Sequence, residues 1–228
     1  MKTYFNLKSP KTLSTIVVAF VLLSIGLAAC NKKSDPEPTG PAYIRAVNSA
    51  QVLAPQDFYV DDNKLNTSAL AYTQSTSYVD VNSGAHNVQF RTSGTTTANV
   101  SGAIYLSPGS YSTLFYADDN TGVATEDDNT APQSGKARVR FINLSTALIN
   151  SNVDFGLSTG NKIVTNLAYK IASAYNEVDA ATSFSLYAAG SSTATLTLPT
   201  TIQAGKIYTI VISGTTTATL NYTVHVQN

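Results

Sequence analysis

The 228-residue sequence predicts an all-β protein with two tandem antiparallel β-sandwich domains of immunoglobulin-like type, placed after a signal peptide and a flexible stem. Three observations predict this arrangement: an apolar N-terminal segment that ends at a single cysteine, a Pro-containing polar segment behind it, and two similar copies of a series of short strands. The predicted boundaries are a lipoprotein signal peptide at 1–29, a lipidated cysteine with a disordered stem at 30–41, a first sandwich at 42–117, a linker at 118–136 and a second sandwich at 137–228.

The N-terminal segment has the three parts of a secretion signal. Lysines precede an apolar run from residue 16 to residue 29, and small residues then lead to Cys30. The run is shorter than the roughly 20 apolar residues that a spanning helix needs, so the pattern predicts a cleaved signal. An uncleaved anchor helix is the alternative, but it leaves the cysteine without a role.

Residues 27–30, Leu-Ala-Ala-Cys, resemble the bacterial lipobox. The resemblance implies cleavage in front of Cys30, a diacylglycerol on its sulfur and a further acyl chain, such as palmitate, on the new amino terminus. Two or more acyl chains hold a protein stably on a membrane. Cys30 is also the only cysteine of the chain, which excludes a disulfide within one molecule and a Cys-based metal site.

The segment behind Cys30 predicts a tether between the membrane anchor and the first domain. It is polar and contains three prolines, so it cannot bury enough apolar surface to fold. Its first residue is Asn31 and not the Asp that retains enteric lipoproteins in the inner membrane, which favours an outer-membrane anchor facing the periplasm or the cell surface. Without its signal lysines the chain is mildly acidic, which argues against a nucleic-acid partner.

The remainder of the chain contains an internal duplication. The segment 42–48 matches 137–143 and the Leu-Ala-Tyr segment 70–72 matches 167–169, with a spacing of about 96 residues. This period is far longer than that of solenoid repeats, so it indicates two tandem domains. Each copy has six or seven short alternating runs rich in Thr, Tyr and Val, separated by Gly, Pro, Asn or Ser, which predicts a β-sandwich.

Turn residues before one strand in each copy predict a tyrosine corner, in which a Tyr hydroxyl bonds back to the preceding turn. In the second copy Gly205 is followed by Tyr208 at the spacing of such a corner. In the first copy Tyr111 lies one place closer to Gly109, so the corner is expected in the second copy and left open in the first.

Several motifs together resemble the family described as domain of unknown function 4397. In the first copy they are Arg45-Ala46-Val47-Asn48, Asp57-Phe58-Tyr59-Val60-Asp61, Leu70-Ala71-Tyr72, Ser77–Gly84 and Leu106–Tyr111. In the second copy they are Arg138–Asn143 and Leu167-Ala168-Tyr169. The resemblance covers nearly all of residues 42–228. It implies a secreted or lipid-anchored bacterial protein and assigns no activity.

Catalytic and metal-binding patterns are weak. His86 and His225 are the only imidazole bases, neither lies near a nucleophile elbow, and both are expected to be exposed in strands or loops. Repeated Asp-Asp-Asn runs are favoured in turns and are also oxygen-rich, so they carry a weak, structural calcium hypothesis. The calcium candidates are Asp61, Asp62, Asp118, Asp119, Asp127 and Asp128.

The recurring aromatic and basic residues are predicted to pack within the protein rather than to bind a ligand. Tyr72 and Tyr169 occupy equivalent positions in the two copies, so we interpret them as core or rim residues, with stacking on a sugar or a protein as the alternative. Arg45 and Arg140 also recur, and we expect each to pair with a carboxylate on a neighbouring strand, Asp57 or Asp154 in the respective copy.

The combination predicts a non-enzymatic, lipid-anchored protein of the cell envelope. We expect a binding, adhesion or structural module without a cofactor, held to the membrane through Cys30, whose ligand is a protein or a glycan. The alternative is an accessory lipoprotein of an envelope uptake or polysaccharide-processing system. A hydrolase is disfavoured because the sequence offers no recognisable nucleophile with a base and an orienting group.

Overall fold

The computed structural model describes residues 39–228. The predicted signal peptide, Cys30 and most of the predicted stem therefore lie outside the described residues. The predicted stem ends at Pro41, which is already the first residue of a strand. No helix within residues 39–228 has the length and apolar character to cross a membrane.

Each repeat contributes eight strands. The first repeat has β1 (Pro41–Asn48), β2 (Gln56–Val60), β3 (Asn63–Lys64), β4 (Val79–Asn82), β5 (Gly84–Thr92), β6 (Ala98–Leu106), β7 (Tyr111–Ala117) and β8 (Thr121–Asp127). The second has β9 (Lys136–Asn143), β10 (Val153–Leu157), β11 (Lys162–Leu167), β12 (Asn176–Asp179), β13 (Phe184–Ala188), β14 (Ala194–Leu198), β15 (Ile207–Ser213) and β16 (Asn221–Val226). Short 3-10 turns lie at Thr146–Leu148 and Thr217–Thr219.

The strands of each repeat form two four-stranded sheets. The first repeat has the orders β4-β1-β7-β8 and β3-β2-β5-β6, and the second has β12-β9-β15-β16 and β11-β10-β13-β14. The orders correspond strand by strand, so the sequence duplication is a duplication of fold. The predicted tandem β-sandwiches are confirmed. Their strand order differs from the constant-type immunoglobulin order, in which strands 1, 2, 5 and 4 form one sheet and strands 3, 6 and 7 the other.

One pairing in each repeat departs from the predicted antiparallel pattern. β1 runs parallel to β7, and β9 runs parallel to β15. Parallel neighbours need a long crossover connection, and here the other sheet of the same sandwich supplies it. The first strand of each repeat thereby becomes a central strand, bonded on both sides.

Alternation along the first strand of each repeat separates two buried faces. In β1, Ala42, Ile44 and Ala46 belong to the core of the first sandwich. Their neighbours face the other way, and Val47 packs in a separate apolar cluster with Phe115, Ala117, Ile142, Leu144 and Val211. Since this cluster draws on β1, β7, β9 and β15, the two inner sheets pack against each other, and the described chain is one compact unit of four β-layers.

The segment 118–136, predicted as a linker, contains a strand of the first sandwich. β8 pairs with β7 over its whole length, from Thr121 opposite Ala117 to Asp127 opposite Tyr111. Val123 is its one large apolar residue, and only one of its faces is partly covered, so the strand lacks the apolar alternation by which a sequence predicts a strand. Residues 128–135 are the connection that remains between the sandwiches.

The tyrosine corner is present in the second repeat. The Tyr208 hydroxyl accepts a hydrogen bond from the backbone N–H of Gln203 at 3.0 Å, as the turn-then-strand spacing predicted. Tyr111 of the first repeat has a different role. Its ring stacks on Tyr43 at 4.3 Å between centroids and meets Tyr78 edge-on at 5.1 Å.

Candidate functional site between the two sandwiches

An open cleft of about 910 Å³ lies between the two sandwiches, and we call it the inter-sandwich cleft. Both repeats line it: Gly109–Tyr111 and Thr125–Thr130 from the first, and Arg140, Ala172, Ser173 and Tyr175 from the second. Ligand sites in proteins commonly have volumes of about 300–1,000 Å³. The cleft is therefore the best candidate for a binding site among the described residues.

A buried ion pair across the two repeats forms the base of the cleft. Arg140 on β9 is 2% exposed, and its Nη2 group donates to the Asp127 carboxylate at the end of β8. The same guanidinium donates through Nη1 to the Glu126 carbonyl oxygen at 2.7 Å and through Nε to Thr209 Oγ1 at 2.8 Å. Removing one partner of such a buried pair costs about 3–5 kcal/mol, because the other charge is left uncompensated.

Tyr78 and Tyr175 enclose this ion pair. The Tyr78 hydroxyl donates to Asp127 Oδ2 at 2.6 Å, and the Tyr175 ring lies 5.0 Å from the Arg140 guanidinium carbon. Burial, together with the charge of Asp127, raises the pKa of Tyr78 well above its ordinary value, so its hydroxyl remains a donor. Burial also raises the pKa of Tyr175, whose hydroxyl donates to Gln227 Oε1 at 2.8 Å.

A second ion pair lies at the rim. Arg138 Nη2 donates to Asp128 Oδ2 at 2.5 Å, and Nη1 of Arg138 donates to the Thr130 carbonyl oxygen at 2.7 Å. The hydrogen bond from Arg138 holds the pKa of Asp128 well below its ordinary value. Both contacts fix the connection that follows β8, which forms one wall of the cleft.

The recurring tyrosines lie at the opposite end of the interface between the two sandwiches. The Tyr72 hydroxyl and Ser213 Oγ, from different repeats, are 2.8 Å apart. Burial and the neighbouring Asp119 carboxylate raise the pKa of Tyr169, and Lys170 forms an ion pair with Asp119 at 2.7 Å. The interpretation of Tyr72 and Tyr169 as packing residues agrees with these positions, because both lie where the sandwiches meet.

The predicted partners of the recurring arginines are wrong. Asp57 forms its ion pair with Lys64 at 2.8 Å, and Asp154 accepts from the backbone N–H groups of Asn166 and Gly190. The two arginines lie on the face of β1 and β9 that points away from their own core, so each reaches the other sandwich. The alternation along each strand indicates that the two arginines lie on equivalent faces of β1 and β9. Only the packing of the two repeats shows what those faces contact.

The calcium candidates lie at separate places and are already bonded. Asp61 pairs with His86, Asp62 with Arg91, Asp119 with Lys170, Asp127 with Arg140 and Asp128 with Arg138, while Asp118 accepts from the Val52 N–H. Within residues 39–228 no group of three or more His, Cys, Asp or Glu side chains could hold a metal ion. A calcium ion would have to displace a paired basic side chain at five of these carboxylates, and at Asp118 only Oδ2 has no partner among the described residues.

The two histidines are less exposed than predicted. His86 Nδ1 lies 2.7 Å from Asp61 Oδ2 and Nε2 lies 2.7 Å from the Asn82 carbonyl oxygen, which is the arrangement of a doubly protonated ring. Burial lowers the pKa of His86, but these two hydrogen bonds outweigh it and raise that pKa. His225 is 6% exposed, and burial with the charge of Arg45 lowers its pKa to about 4.

Comparison with known proteins identifies the class of the first repeat. Residues 42–150 match the model of a family described as "Domain of unknown function (DUF4397)", so this part of the chain is similar to the domains of that family. The match runs from β1 through β9, so it covers the first repeat and the first strand of the second, whereas the sequence resemblance extended over nearly all of residues 42–228. A solved structure of the N-terminal domain of AlgF from P. aeruginosa is 23% identical, with 40% of this chain and 98% of that chain covered and a TM-score of 0.30. No curated protein matches the chain.

Proposed function

We propose that the protein is a lipid-anchored, non-catalytic binding module of the bacterial cell envelope, with its ligand in the inter-sandwich cleft. The observation that carries the proposal is the cleft itself, about 910 Å³ in volume and lined by both repeats. Its base is held by the Arg140–Asp127 ion pair, so the walls are organised before a ligand arrives. Such preorganisation lowers the entropic cost of binding.

The side chains at the cleft favour binding over catalysis. Asp127 is occupied by Arg140, Tyr78 and Thr113, and Asp128 is occupied by Arg138. A general base must reach a substrate proton with an available lone pair, and these carboxylates already accept strong hydrogen bonds. Neither described histidine is among the residues that line the cleft.

The chemistry of the walls fits a polar ligand, a glycan or a peptide. Hydroxyl, amide and carboxylate groups from Ser110, Glu126, Asn129 and Thr130 alternate with the aromatic ring of Tyr175. Tyrosine rings offer an apolar face with a polar edge, which suits both sugar rings and peptide side chains. The described chain also begins at this rim, because the Gly109 N–H donates to the Pro41 carbonyl oxygen at 2.7 Å.

Blocking the cleft tests the proposed site. Asn129 is an exposed lining residue, so Asn129→Trp should fill the cleft without disturbing either core. The full chain would be applied to an array of bacterial envelope glycans and to immobilised envelope peptides. We expect signals that Asn129→Trp lowers at least tenfold and that Asn150→Trp, an exposed substitution outside the cleft, leaves unchanged. Signals that survive Asn129→Trp, or an array without any signal, would contradict a binding role for the cleft.

The anchor has its own test. Labelled palmitate should be incorporated by cells that express the wild-type chain and not by cells that express Cys30→Ser, and the variant should move from the membrane to the soluble fraction. Protease treatment of whole cells then separates a surface-exposed protein from a periplasmic one. Equal labelling of both chains would exclude lipid on Cys30 and leave the cleft test unaffected.

A further inference from the structure

The two buried arginines occupy equivalent positions in the two repeats, and for one of them every guanidinium nitrogen has a hydrogen-bond acceptor. Every nitrogen of the Arg140 guanidinium has an acceptor: Nε donates to Thr209, Nη1 to the Glu126 carbonyl oxygen, and Nη2 to Thr125 Oγ1 and the Asp127 carboxylate. This half of the interface therefore shows what an arginine at this position of the fold requires.

Arg45 has the first two of these contacts and lacks the others. Its Nε group donates to Thr113 Oγ1 at 2.8 Å and its Nη1 group to the Val226 carbonyl oxygen at 2.8 Å, which match the contacts of Arg140. Its Nη2 group is buried and has no hydrogen-bond partner among residues 39–228. The whole residue is 4% exposed, so bulk water does not replace the missing acceptors.

Strand register explains the difference. Thr125 lies opposite Thr113 and His225 lies opposite Thr209, so His225 holds the place of Thr125. Two positions further on, Gln227 therefore holds the place of Asp127. The hydroxyl and the carboxylate that serve Arg140 are thus replaced, near Arg45, by an imidazole and an amide.

Neither replacing group accepts a hydrogen bond from Arg45 Nη2. His225 Nε2 lies 3.1 Å from Thr223 Oγ1, and Gln227 Oε1 accepts from Tyr175. Gln227 Nε2 is buried and, in the part of the chain that the structure describes, it too has no partner. In the other half the corresponding groups, Arg140 Nη2 and the Asp127 carboxylate, are in contact, so by the equivalence of the repeats we infer that the two unused donors of this half face each other.

The charges at the interface are also unequal. Arg45 and Arg140 are both buried, and Asp127 is the buried carboxylate that contacts one of them directly. A buried charge without compensation and a buried N–H without an acceptor are both costly. We propose that a small monovalent anion, a halide or a carboxylate, binds between Arg45 Nη2 and Gln227 Nε2 and takes the place that the Asp127 carboxylate occupies in the other half.

Chloride is the probe for this site. Thermal unfolding of the full chain would be followed from 0 to 500 mM sodium chloride, with sodium methanesulfonate, whose anion is neither a halide nor a carboxylate, holding the ionic strength constant. A ligand of the folded state raises the midpoint by mass action, by about 4 °C at a concentration ten times the dissociation constant. Broadening of the chloride-35 NMR line reports binding directly, and an acetate series separates a halide-selective site from one that also accepts carboxylates.

Gln227→Asp is the decisive variant, because it places a carboxylate where the first repeat has Asp127. We expect its midpoint without chloride to exceed that of the wild type, and its chloride response and line broadening to disappear. Arg45→Gln removes the positive charge and should also abolish the response, which keeps the test valid if the first variant folds poorly. A wild type that does not respond to chloride or acetate would overturn the proposal, and so would a response that survives in both variants. No response is the result expected if the Gln227 amide is turned, so that its oxygen accepts from Arg45 and its nitrogen faces Tyr175.

Discussion

Burial of His225 as a neutral ring predicts that acid destabilises this protein through one identifiable residue. The folded-state pKa is about 4, against 6.5 for an ordinary histidine. The unfolded chain therefore takes up a proton below pH 6.5 that the folded chain does not accept until about pH 4. Stability from this residue is present in full above pH 6.5 and is lost as the pH falls, by about 2 kcal/mol between pH 7.5 and 5.0 and about 3 kcal/mol by pH 4.

His225→Thr removes this effect with the residue that the first repeat has at the same register, Thr125. Urea unfolding at pH 7.5 and at pH 5.0 gives the loss of unfolding free energy for both chains. The wild type should lose about 2 kcal/mol more than the variant, whatever the variant loses in packing at neutral pH. In NMR titration of the wild type, the His225 ring should change protonation near pH 4. Equal losses in the two chains, or a ring that titrates near pH 6.5, would refute the reasoning.

His86 serves as the control because its pKa moves the other way. Its hydrogen bonds to Asp61 and to the Asn82 carbonyl oxygen outweigh burial and raise the folded-state pKa above the unfolded value. Its contribution is present in full below pH 6.5 and is lost as the pH rises through the raised value. His86→Gln should therefore make the loss of stability towards acid steeper, and His225→Thr should make it shallower. The same direction of change in both variants would contradict the assignment.

Two further predictions concern packing. Asp127→Asn leaves the buried Arg140 without a carboxylate and should lower the free energy of unfolding by about 3–5 kcal/mol in chemical denaturation. A loss below about 1 kcal/mol would mean that water reaches the pair. Gly156→Ala places a Cβ 2.8 Å from the Asn161 carbonyl oxygen and should cost about 1–3 kcal/mol, whereas Gly102→Ala meets open space and should be nearly neutral by the same measurement. Equal costs at the two glycines would contradict the close approach at β10.

The sequence predicts the duplication, the sandwiches and the corner at Tyr208 because each depends on local pattern. Alternation, turn residues and the spacing between copies are all properties of short segments. β8 lies in the segment predicted as a linker for a local reason as well: a polar strand at the edge of a sheet lacks the apolar alternation that marks a central strand. This error concerns the extent of the fold and leaves its architecture unchanged.

The candidate site was beyond local pattern because it forms where two sandwiches meet. Arg45 and Arg140 could be recognised as equivalent, but their partners belong to the other sandwich. Arg45 contacts Val226, 181 residues further along the chain, and Arg140 contacts Glu126, only 14 residues before it. One signal was available in the sequence: both copies repeat an Arg on the first strand and a Thr, Thr113 or Thr209, on a later strand. These polar residues lie on strands whose other face is apolar, and in the structure each Arg bonds to the Thr of its own repeat. Such a pair indicates a second packed surface and does not identify what packs there.

The crossed arginines also decide whether these repeats are interchangeable modules. Arg45 of the first repeat is served by the last strand of the second, and Arg140 of the second is served by the last strand of the first. Each arginine finds only the acceptor of its Nε group, Thr113 or Thr209, in its own repeat, so a repeat that is deleted or exchanged would leave the guanidinium of its former neighbour without its remaining acceptors. We therefore expect the two copies to be retained together, because a substitution in one copy can remove an acceptor that the arginine of the other copy needs.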